Sequence, residues 1–294
     1  MNFSHLYLSP LEQCNLDCKI CYTPKTKEQL TEAQLLDFID RYQEFLNFKD
    51  KSLESVTLCG GEVFLLPWIT KFINQVTQKK IIVEIVTNGT INLLKQLNYP
   101  NLINLIVSLD GLEKSHDLNR GIGSFKKTWQ FLKKADQLGF HFEIFSVVSQ
   151  QNFDHIDQFE GFLAEELGFL PKITYHPRKP KAYLKAHPSS NKTGQINGFE
   201  FLTFEQTKHL AKTKKIFPPL NLGCHQLALM SDANVYACCE GIKPLGNINT
   251  PIDLLIENYQ KRIEIPEGFP SCCQGCGEPD FVCGICRTYA KITS

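Results

Sequence analysis

Three cysteines near the start of the chain, Cys14, Cys18 and Cys21, lie within eight residues. A segment this short is able to direct three sulfur atoms at one inorganic centre, but it provides no fourth thiol. Structural zinc sites and ordinary ferredoxin-type clusters both use four protein ligands. Three thiolates on a four-iron, four-sulfur cube leave one iron open to a small molecule, and this is the chemistry that the spacing favours. The alternative is half of a zinc site that is completed elsewhere in the chain.

The CxxxCxxC pattern of these cysteines resembles the signature of the radical S-adenosylmethionine (SAM) enzymes. The resemblance implies that the open iron binds the amino and carboxylate groups of SAM, and that Ile20 inside the loop contacts the same cofactor. It also implies that one-electron reduction cleaves SAM to methionine and a 5′-deoxyadenosyl radical, which abstracts a hydrogen atom from a substrate. We predict Cys14, Cys18 and Cys21 as the ligands of this 4Fe-4S cluster.

A second motif, Gly60-Gly61-Glu62, follows a predicted strand. It resembles the Gly-Gly-Glu motif of the same family, in which bare backbone admits the methionine end of SAM and the carboxylate engages its ammonium group. Glycine suits such an approach because it has no Cβ and tolerates positive φ. Outside this context the three residues would indicate only a turn. Val63 stands where the family commonly has proline, and the adjacent Cys59 is expected to be a small core residue.

The stretch from Ser108 to Gly111, followed by Arg120, resembles a stretch in peptide-modifying members of the family. The resemblance implies that Ser108 and Arg120 contact SAM, and a guanidinium suits its carboxylate because it can bind both oxygens. The resemblance also assigns Asn88, after another predicted strand, to the cofactor site. The alternative interpretation makes Ser108 a strand-end hydroxyl and Arg120 a solvated charge in a loop.

Short apolar runs alternate with longer amphipathic runs as far as residue 176, which predicts an α/β fold. The predicted strands are Phe3–Ser9, Leu53–Cys59, Ile81–Thr87, Leu102–Leu109, Phe140–Val148 and Leu170–His176. The predicted helices are Glu32–Phe48, Leu66–Gln78, Ile91–Leu97, Phe125–Leu138 and Phe153–Leu167, with His116 and Asp117 in a loop. Six such strands imply parallel pairing with right-handed crossovers, so we predict a partial (βα)6 barrel or an open α/β sheet. Chemistry in such folds gathers at the carboxyl ends of the strands, where the motifs are placed.

Eight of the twelve cysteines crowd into the segment from Cys224 to Cys286, which predicts a small cysteine-rich C-terminal domain. A predicted β-hairpin around Asp232–Asn234 has cysteines at its base, and CxxC pairs follow. This order resembles the SPASM and twitch domains, which implies one or two auxiliary 4Fe-4S clusters, although a cysteine usual beyond the last CxxC is missing before Ser294. The predicted ligands are Cys224, Cys238, Cys239, Cys272, Cys273, Cys276, Cys283 and Cys286. A closed zinc site built from the last four is the alternative.

The overall composition excludes several classes of partner. The chain has 31 basic and 31 acidic residues, so nothing indicates a nucleic-acid partner. No apolar run approaches the roughly 20 residues of a membrane span, and no signal peptide is evident. We therefore expect a cytoplasmic protein, whose cysteines bind metals because the compartment is reducing. The predicted domains are a barrel at 1–176, a bridging segment at 177–222 and an auxiliary-cluster domain at 223–294.

The resemblance covers nearly the whole chain and implies a radical SAM enzyme that modifies a peptide or protein by oxidation or cross-linking. Two alternatives stay open: a radical SAM enzyme acting on a small metabolite, and a non-catalytic zinc or iron–sulfur binding module. The expected partners are the substrate and a one-electron donor of the flavodoxin or ferredoxin type. Because the chain begins directly at its first predicted strand, we also consider a separate protein that recognises a peptide substrate. The sequence identifies no catalytic acid or base.

Overall fold

The computed structural model describes residues 3–177 apart from 20, 22 and 24, together with 200–214, 227–237 and 244–262. Its strands are β1 His5–Ser9, β2 Ser55–Leu58, β3 Ile82–Thr87, β4 Ile103–Ser108, β5 His141–Val148, β6 Ile173–Pro177, β7 Leu227–Met230, β8 Asn234–Tyr236 and β9 Gly246–Asn247. They form one sheet in the order β6-β5-β4-β3-β2-β1-β7-β8-β9. Strands β1 to β6 pair in parallel throughout. The predicted α/β class with its parallel strands is confirmed.

Helices connect the parallel strands, as the amphipathic runs predicted. They are α1 Glu32–Asn47, α2 Ile69–Gln78, α3 Glu113–Arg120, α4 Ser124–Gln137, α5 Gln150–Phe153, α6 Ile156–Leu167, α7 Phe204–Thr213 and α8 Ile252–Arg262. Helix α1 begins at a capping box, in which Thr31 and Gln34 each accept a hydrogen bond from the other's backbone N–H. Among the described helices, none is both long enough and apolar enough to cross a bilayer.

His116 and Asp117 lie in helix α3, so their predicted placement in a loop was wrong. Helix α3 ends at Arg120, and the next residue, Gly121, has a φ of 105°. Glycine readily adopts this conformation, which ends the helical hydrogen bonding. Asp117 then caps the next helix, because its carboxylate accepts hydrogen bonds from the backbone of Gly123 and Phe125. A short helix between two glycine-containing turns carries too few apolar residues for its period to be read from sequence.

Two other predicted helices differ in their bounds. The run at 91–97 forms only a 3-10 turn at Leu94–Gln96, because a single short segment cannot nucleate an α-helix and Asn92 caps the turn with its side chain. The run at 153–167 is preceded by the separate helix α5, which starts early because Ser149 and Asn152 form a capping box. Helix α6 ends at Gly168 with φ of 75°, as predicted.

The two faces of the sheet differ in polarity, and the difference follows the alternation of the strands. In β4, Leu105 and Val107 are buried in the hydrophobic core. The opposite face carries a row of polar side chains, because Thr57, Glu84 and Asn104 are aligned across β2, β3 and β4. Thr57 donates to the Glu84 carboxylate at 2.7 Å. One face of the sheet is therefore packed by helices, and the other is a polar lining.

The described part of the C-terminal segment continues the sheet. Strands β7 and β8 form the predicted hairpin, and β7 pairs in parallel with β1. Helix α8 then brings the ring of Tyr259 edge-on against Phe3, with centroids 5.5 Å apart. The eight predicted ligands at 224–286 lie outside the described residues, as does Ile20. The proposed domain boundaries therefore stay predictions.

Candidate active site

The loops that follow β1, β2, β3 and β4 meet at the carboxyl edge of the sheet. We call the described part of residues 10–26, which follows β1, the cysteine loop. Asn15 in this loop donates its amide to Thr90 after β3, at 2.8 Å. Further along the loop, the N–H of Lys19 donates to the carbonyl of Asn119 in α3, at 2.9 Å. The structure therefore brings the motifs together at the edge that the sequence predicted.

Gly60 and Gly61 hold the start of the cysteine loop. The N–H of Gly61 donates to the carbonyl of Leu11, and the next N–H, of Glu62, donates to Gln13, both at 3.0 Å. A Cβ on Gly60 would lie 2.3 Å from the Leu11 oxygen, and one on Gly61 would lie 2.0 Å from the Gln13 oxygen. Glycine is required here because the loop backbone approaches so closely. The predicted approach of SAM to these glycines stays a prediction.

The carboxylate of Glu62 is fully buried, with 0% of the residue exposed. It accepts hydrogen bonds from the Thr87 hydroxyl at 2.9 and 3.0 Å, the Asn88 N–H at 2.8 Å and the Phe64 N–H at 3.2 Å. Burial raises the pKa of Glu62 to about 7, although these donors act against the rise. The carboxylate that we predicted to engage a ligand therefore fastens the end of β2 to the end of β3, and its contact with SAM stays a prediction.

Asn88 links this side of the site to the first cysteine. Its side-chain amide lies 3.6 Å from the sulfur of Cys14 and donates to Asn15 at 3.0 Å. The side-chain oxygen of Asn88 accepts a hydrogen bond from the Thr90 hydroxyl at 2.6 Å, which fixes the orientation of the side-chain amide. Burial raises the pKa of Cys14, and the contact with Asn88 opposes that rise. Asn15 and Thr90 were not predicted as site residues, because each is a single polar residue in a loop.

Asp110, which follows β4, is the centre of the opposite side of the site. It is 1% exposed, and its oxygens accept from Arg120 Nε at 2.6 Å and Nη2 at 3.0 Å. The same carboxylate accepts from the Asn119 amide at 2.6 Å and from the N–H of Val147 at 2.9 Å. Burial alone would raise the pKa of Asp110, but the Arg120 guanidinium outweighs burial and holds it below its ordinary value. No role was predicted for Asp110, although it lies within the stretch from Ser108 to Gly111 that resembles the family.

Arg120 is the last residue of α3, and its side chain is only 11% exposed. The alternative interpretation of a solvated loop charge was therefore wrong. Burial disfavours the charged form, but Asp110 outweighs this effect and raises the pKa of Arg120. Two of its nitrogens are engaged by Asp110, so any contact with SAM uses its remaining N–H groups and stays a prediction. The predicted contact of Ser108, which ends β4, likewise stays a prediction.

His116 is completely buried in α3 and supports the same side. Its Nδ1 atom accepts a hydrogen bond from the backbone N–H of Asp110 at 3.1 Å, so the imidazole is neutral with its proton on Nε2. Burial lowers the pKa of His116 to about 4, although the neighbouring Asp110 acts in the opposite direction. The ring also packs edge-on against Phe125 in α4, with centroids 6.0 Å apart. His116 therefore fixes the backbone of Asp110.

The three thiols of the loop suit a cluster better than a single ion. Cys14, Cys18 and Cys21 form no disulfide among the described residues and are partly exposed. The same holds for Cys59, which was wrongly expected in the core. Burial raises the pKa of Cys18 to about 11. Among the described residues, no three cysteine, histidine or acidic side chains converge as ligands of one metal ion. Zinc needs ligands at about 2.3 Å from one point, whereas an iron–sulfur cube contacts each thiolate through a different iron, so more widely separated thiols are compatible with a cube.

Comparisons with known proteins agree with this arrangement. A nucleotide dehydratase dependent on S-adenosylmethionine, from Lacinutrix mariniflava, is 26% identical over 166 residues, which are 52% of this chain and 34% of that protein. The antilisterial bacteriocin subtilosin biosynthesis protein AlbA of Bacillus subtilis is 27% identical over 154 residues, which are 50% of this chain and 34% of AlbA. The chain therefore spans about a third of the length of these relatives.

The same fold occurs in anSMEcpe, whose structure was solved with bound AdoMet and a Cp18Cys peptide. The two chains superpose with a TM-score of 0.64 at 18% identity, covering 98% of this chain and 96% of the other. The model of the Radical SAM superfamily matches residues 8–163, which contain the cysteine loop and every residue of the site that surrounds it. The chain therefore belongs to the radical SAM superfamily.

Proposed function

We propose that this radical SAM enzyme abstracts a hydrogen atom from a peptide or protein and so brings about an oxidation or a cross-link. The observation that carries the proposal is the cysteine loop itself. Its three thiols are partly exposed, and the loop is held between Gly61 on one side and Asn119 on the other. Such a preformed site reduces the ordering that cofactor binding requires.

The cofactors implied by the superfamily are a 4Fe-4S cluster and SAM, which together supply reductive cleavage of SAM and a 5′-deoxyadenosyl radical. In the proposal, Cys14, Cys18 and Cys21 hold the cluster. The residues proposed to contact SAM are Ile20, Gly60, Gly61, Glu62, Asn88, Ser108 and Arg120. The protein's own contribution is to hold the reacting atoms close together and to exclude water from them.

Two similarities support a peptide substrate. AlbA is named for the biosynthesis of a bacteriocin, and anSMEcpe was solved with a bound peptide. The nucleotide dehydratase supports a second candidate, a small metabolite, because it matches a similar share of this chain. We also propose two protein partners. One is a one-electron donor of the flavodoxin or ferredoxin type, and the other is a separate protein that recognises the peptide substrate.

Two pools of probes separate the candidate substrates. The anaerobically reconstituted full chain is incubated with SAM and dithionite, with either a pool of short synthetic peptides or a pool of ribonucleotides. We expect the peptide pool to stimulate release of 5′-deoxyadenosine. The peptide products should be lighter than the starting peptides by the mass of the hydrogen atoms removed. Stimulation by ribonucleotides alone, with new nucleotide products, would favour the metabolite candidate and contradict the peptide proposal.

We further propose one or two auxiliary 4Fe-4S clusters on the cysteines between Cys224 and Cys286. The support is their number and their CxxC spacing, which resembles that of auxiliary-cluster domains. A variant in which Cys14, Cys18 and Cys21 are all alanine tests this directly. We expect it to retain about four or about eight irons per chain after reconstitution. Zinc without iron in this variant would support the closed zinc site instead.

A further inference from the structure

The last two residues of α3 connect Asp110 to the cysteine loop. Asn119 donates its side-chain amide to Asp110 at 2.6 Å, while its backbone carbonyl accepts from Lys19 at 2.9 Å. Arg120 binds both oxygens of the same carboxylate. Because Lys19 directly follows Cys18, the ion pair and the middle of the loop belong to one hydrogen-bonded unit.

Two opposite charges are therefore held next to the middle of the cysteine loop. The bidentate contact with Asp110 fixes the plane of the Arg120 guanidinium, so its charge cannot swing away into solvent. The bond from the N–H of Lys19 to the carbonyl of Asn119 holds this ion pair close to the residue that follows Cys18. A cation and an anion near one metal centre have opposite effects on any electron added to it.

We propose that Asp110 is a positioning residue that fixes the charge of Arg120 beside Cys18, and that the balance of these two charges sets the reduction potential of the cluster. The inference rests on the proposed function, because it requires a cluster on the loop. Reduction adds negative charge to the cluster, and nearby charge is one of the factors that set such potentials. Arg120 should therefore favour the reduced form, and Asp110 should oppose it.

The test is a redox titration followed by electron paramagnetic resonance on the reconstituted full chain. The signal of the loop cluster is identified as the one that changes when SAM is added. We expect Asp110→Asn to raise the midpoint potential and Arg120→Gln to lower it. The double variant should return close to the wild-type value, because it removes one charge of each sign. A purely structural role would move both single variants in the same direction.

Asp117→Asn is the matched control. It makes the same chemical change on the same helix, but Asp117 caps α4 and does not contact the ion pair. We expect it to leave the potential unchanged. Arg120→Lys keeps the charge but loses the planar fork, so its potential should lie nearer to the wild type than that of Arg120→Gln. If Asp110→Asn does not retain iron, the comparison of Arg120→Gln with Arg120→Lys still tests the proposal.

Either of two results would overturn the inference. One is a shift of equal sign in Asp110→Asn and Arg120→Gln; the other is identical potentials in Arg120→Gln, Arg120→Lys and the wild type. Failure of the proposed function looks different, because the wild-type chain would then bind no cluster that responds to SAM. If the wild type cleaves SAM but the midpoint potential of the loop cluster does not change in the Asp110 and Arg120 variants, only the further inference is wrong.

Discussion

The cysteine loop is held from two sides, and the two sides use different interactions. On the β2–β3 side, the buried carboxylate of Glu62 is bound by hydroxyl and backbone N–H groups, all of which are neutral. On the β4–α3 side, the buried carboxylate of Asp110 is bound by the guanidinium of Arg120. Both carboxylates are buried and both accept hydrogen bonds from neutral groups, but only Asp110 is also paired with a cation.

The two pKa values move in opposite directions. Burial raises the pKa of Glu62 to about 7 despite its hydrogen bonds. Burial acts on Asp110 in the same sense, but Arg120 reverses the outcome and lowers its pKa. Neutral donors alone thus compensate only part of the loss of water at Glu62, whereas a paired cation together with neutral donors more than compensates for it at Asp110. Near pH 7 the carboxyl group of Glu62 is therefore partly protonated, whereas Asp110 stays charged beside the charged Arg120.

Removing one charge of the ion pair should have the largest effect on stability. Asp110→Asn leaves the Arg120 guanidinium buried without its counter-charge, which typically costs about 3–5 kcal/mol. We expect the free energy of unfolding, measured with urea on the protein without its cluster, to fall by this amount. Asp117→Asn should cost only about 1 kcal/mol, since an amide nitrogen that cannot accept replaces one of the two oxygens that bind the start of α4. Equal losses in the two variants would contradict the assigned importance of the ion pair.

Glu62 should make the stability of the cluster-free protein depend on pH. Its pKa is about 7 in the folded state against an ordinary 4.5, so the folded protein keeps a proton that the unfolded chain loses in this window. The contribution to stability is present in full below pH 4.5 and is lost as the pH rises to about 7.

The measurement is urea unfolding at pH 5 and pH 8. Each pKa unit corresponds to about 1.4 kcal/mol, so we expect the wild type to lose up to about 3 kcal/mol more than Glu62→Gln over this range. The paired Asp110 has a lowered pKa, and its contribution is instead lost as the pH falls below its ordinary value of 3.8. The same dependence on pH in the wild type and in Glu62→Gln would refute the assignment.

A methyl group on Gly61 should test the β2–β3 side without changing any charge. The new Cβ would lie 2.0 Å from the Gln13 oxygen, so the start of the cysteine loop must move. We expect a loss of about 1–3 kcal/mol, as for other overpacked positions, and less iron bound after reconstitution.

The control for this variant is Gly161→Ala in the middle of α6. Nothing lies within 4 Å of a Cβ built there, so this change should stabilise the helix by about 0.5–1 kcal/mol. Unchanged iron binding in Gly61→Ala would show that the close approach does not position the loop.

The sequence predicted the elements that repeat and missed the interactions that join them. The periods of the apolar residues predicted the strands and helices of the parallel sheet, and the cysteine spacing predicted the loop. The pairing of Glu62 with Thr87 and that of Asp110 with Arg120 join residues 25 and 10 positions apart. Such contacts depend on where the end of one element meets another strand end or helix end, which no local pattern contains. The extension of the sheet by β7 beside β1 was missed for the same reason.

Glycine carried different information on the two sides of the loop. Gly60-Gly61 was recognised as a motif, and the structure shows that it admits the loop backbone, which the sequence did not predict, while its contact with SAM stays a prediction. Gly121 was not singled out in the sequence, although it ends α3 directly after Arg120 and so fixes the position of that residue. The residue types were therefore predictable, and their partners were not.

The most direct test of the account is the release of 5′-deoxyadenosine by the anaerobically reconstituted chain with SAM and dithionite, together with iron and zinc counts. We predict about four or more irons per chain and 5′-deoxyadenosine in the wild type. Both the product and about four of the irons should be lost in Cys14→Ala, while Cys59→Ala, which changes a cysteine outside the CxxxCxxC pattern, should retain them. Zinc without iron in the wild type, and no 5′-deoxyadenosine, would contradict the account.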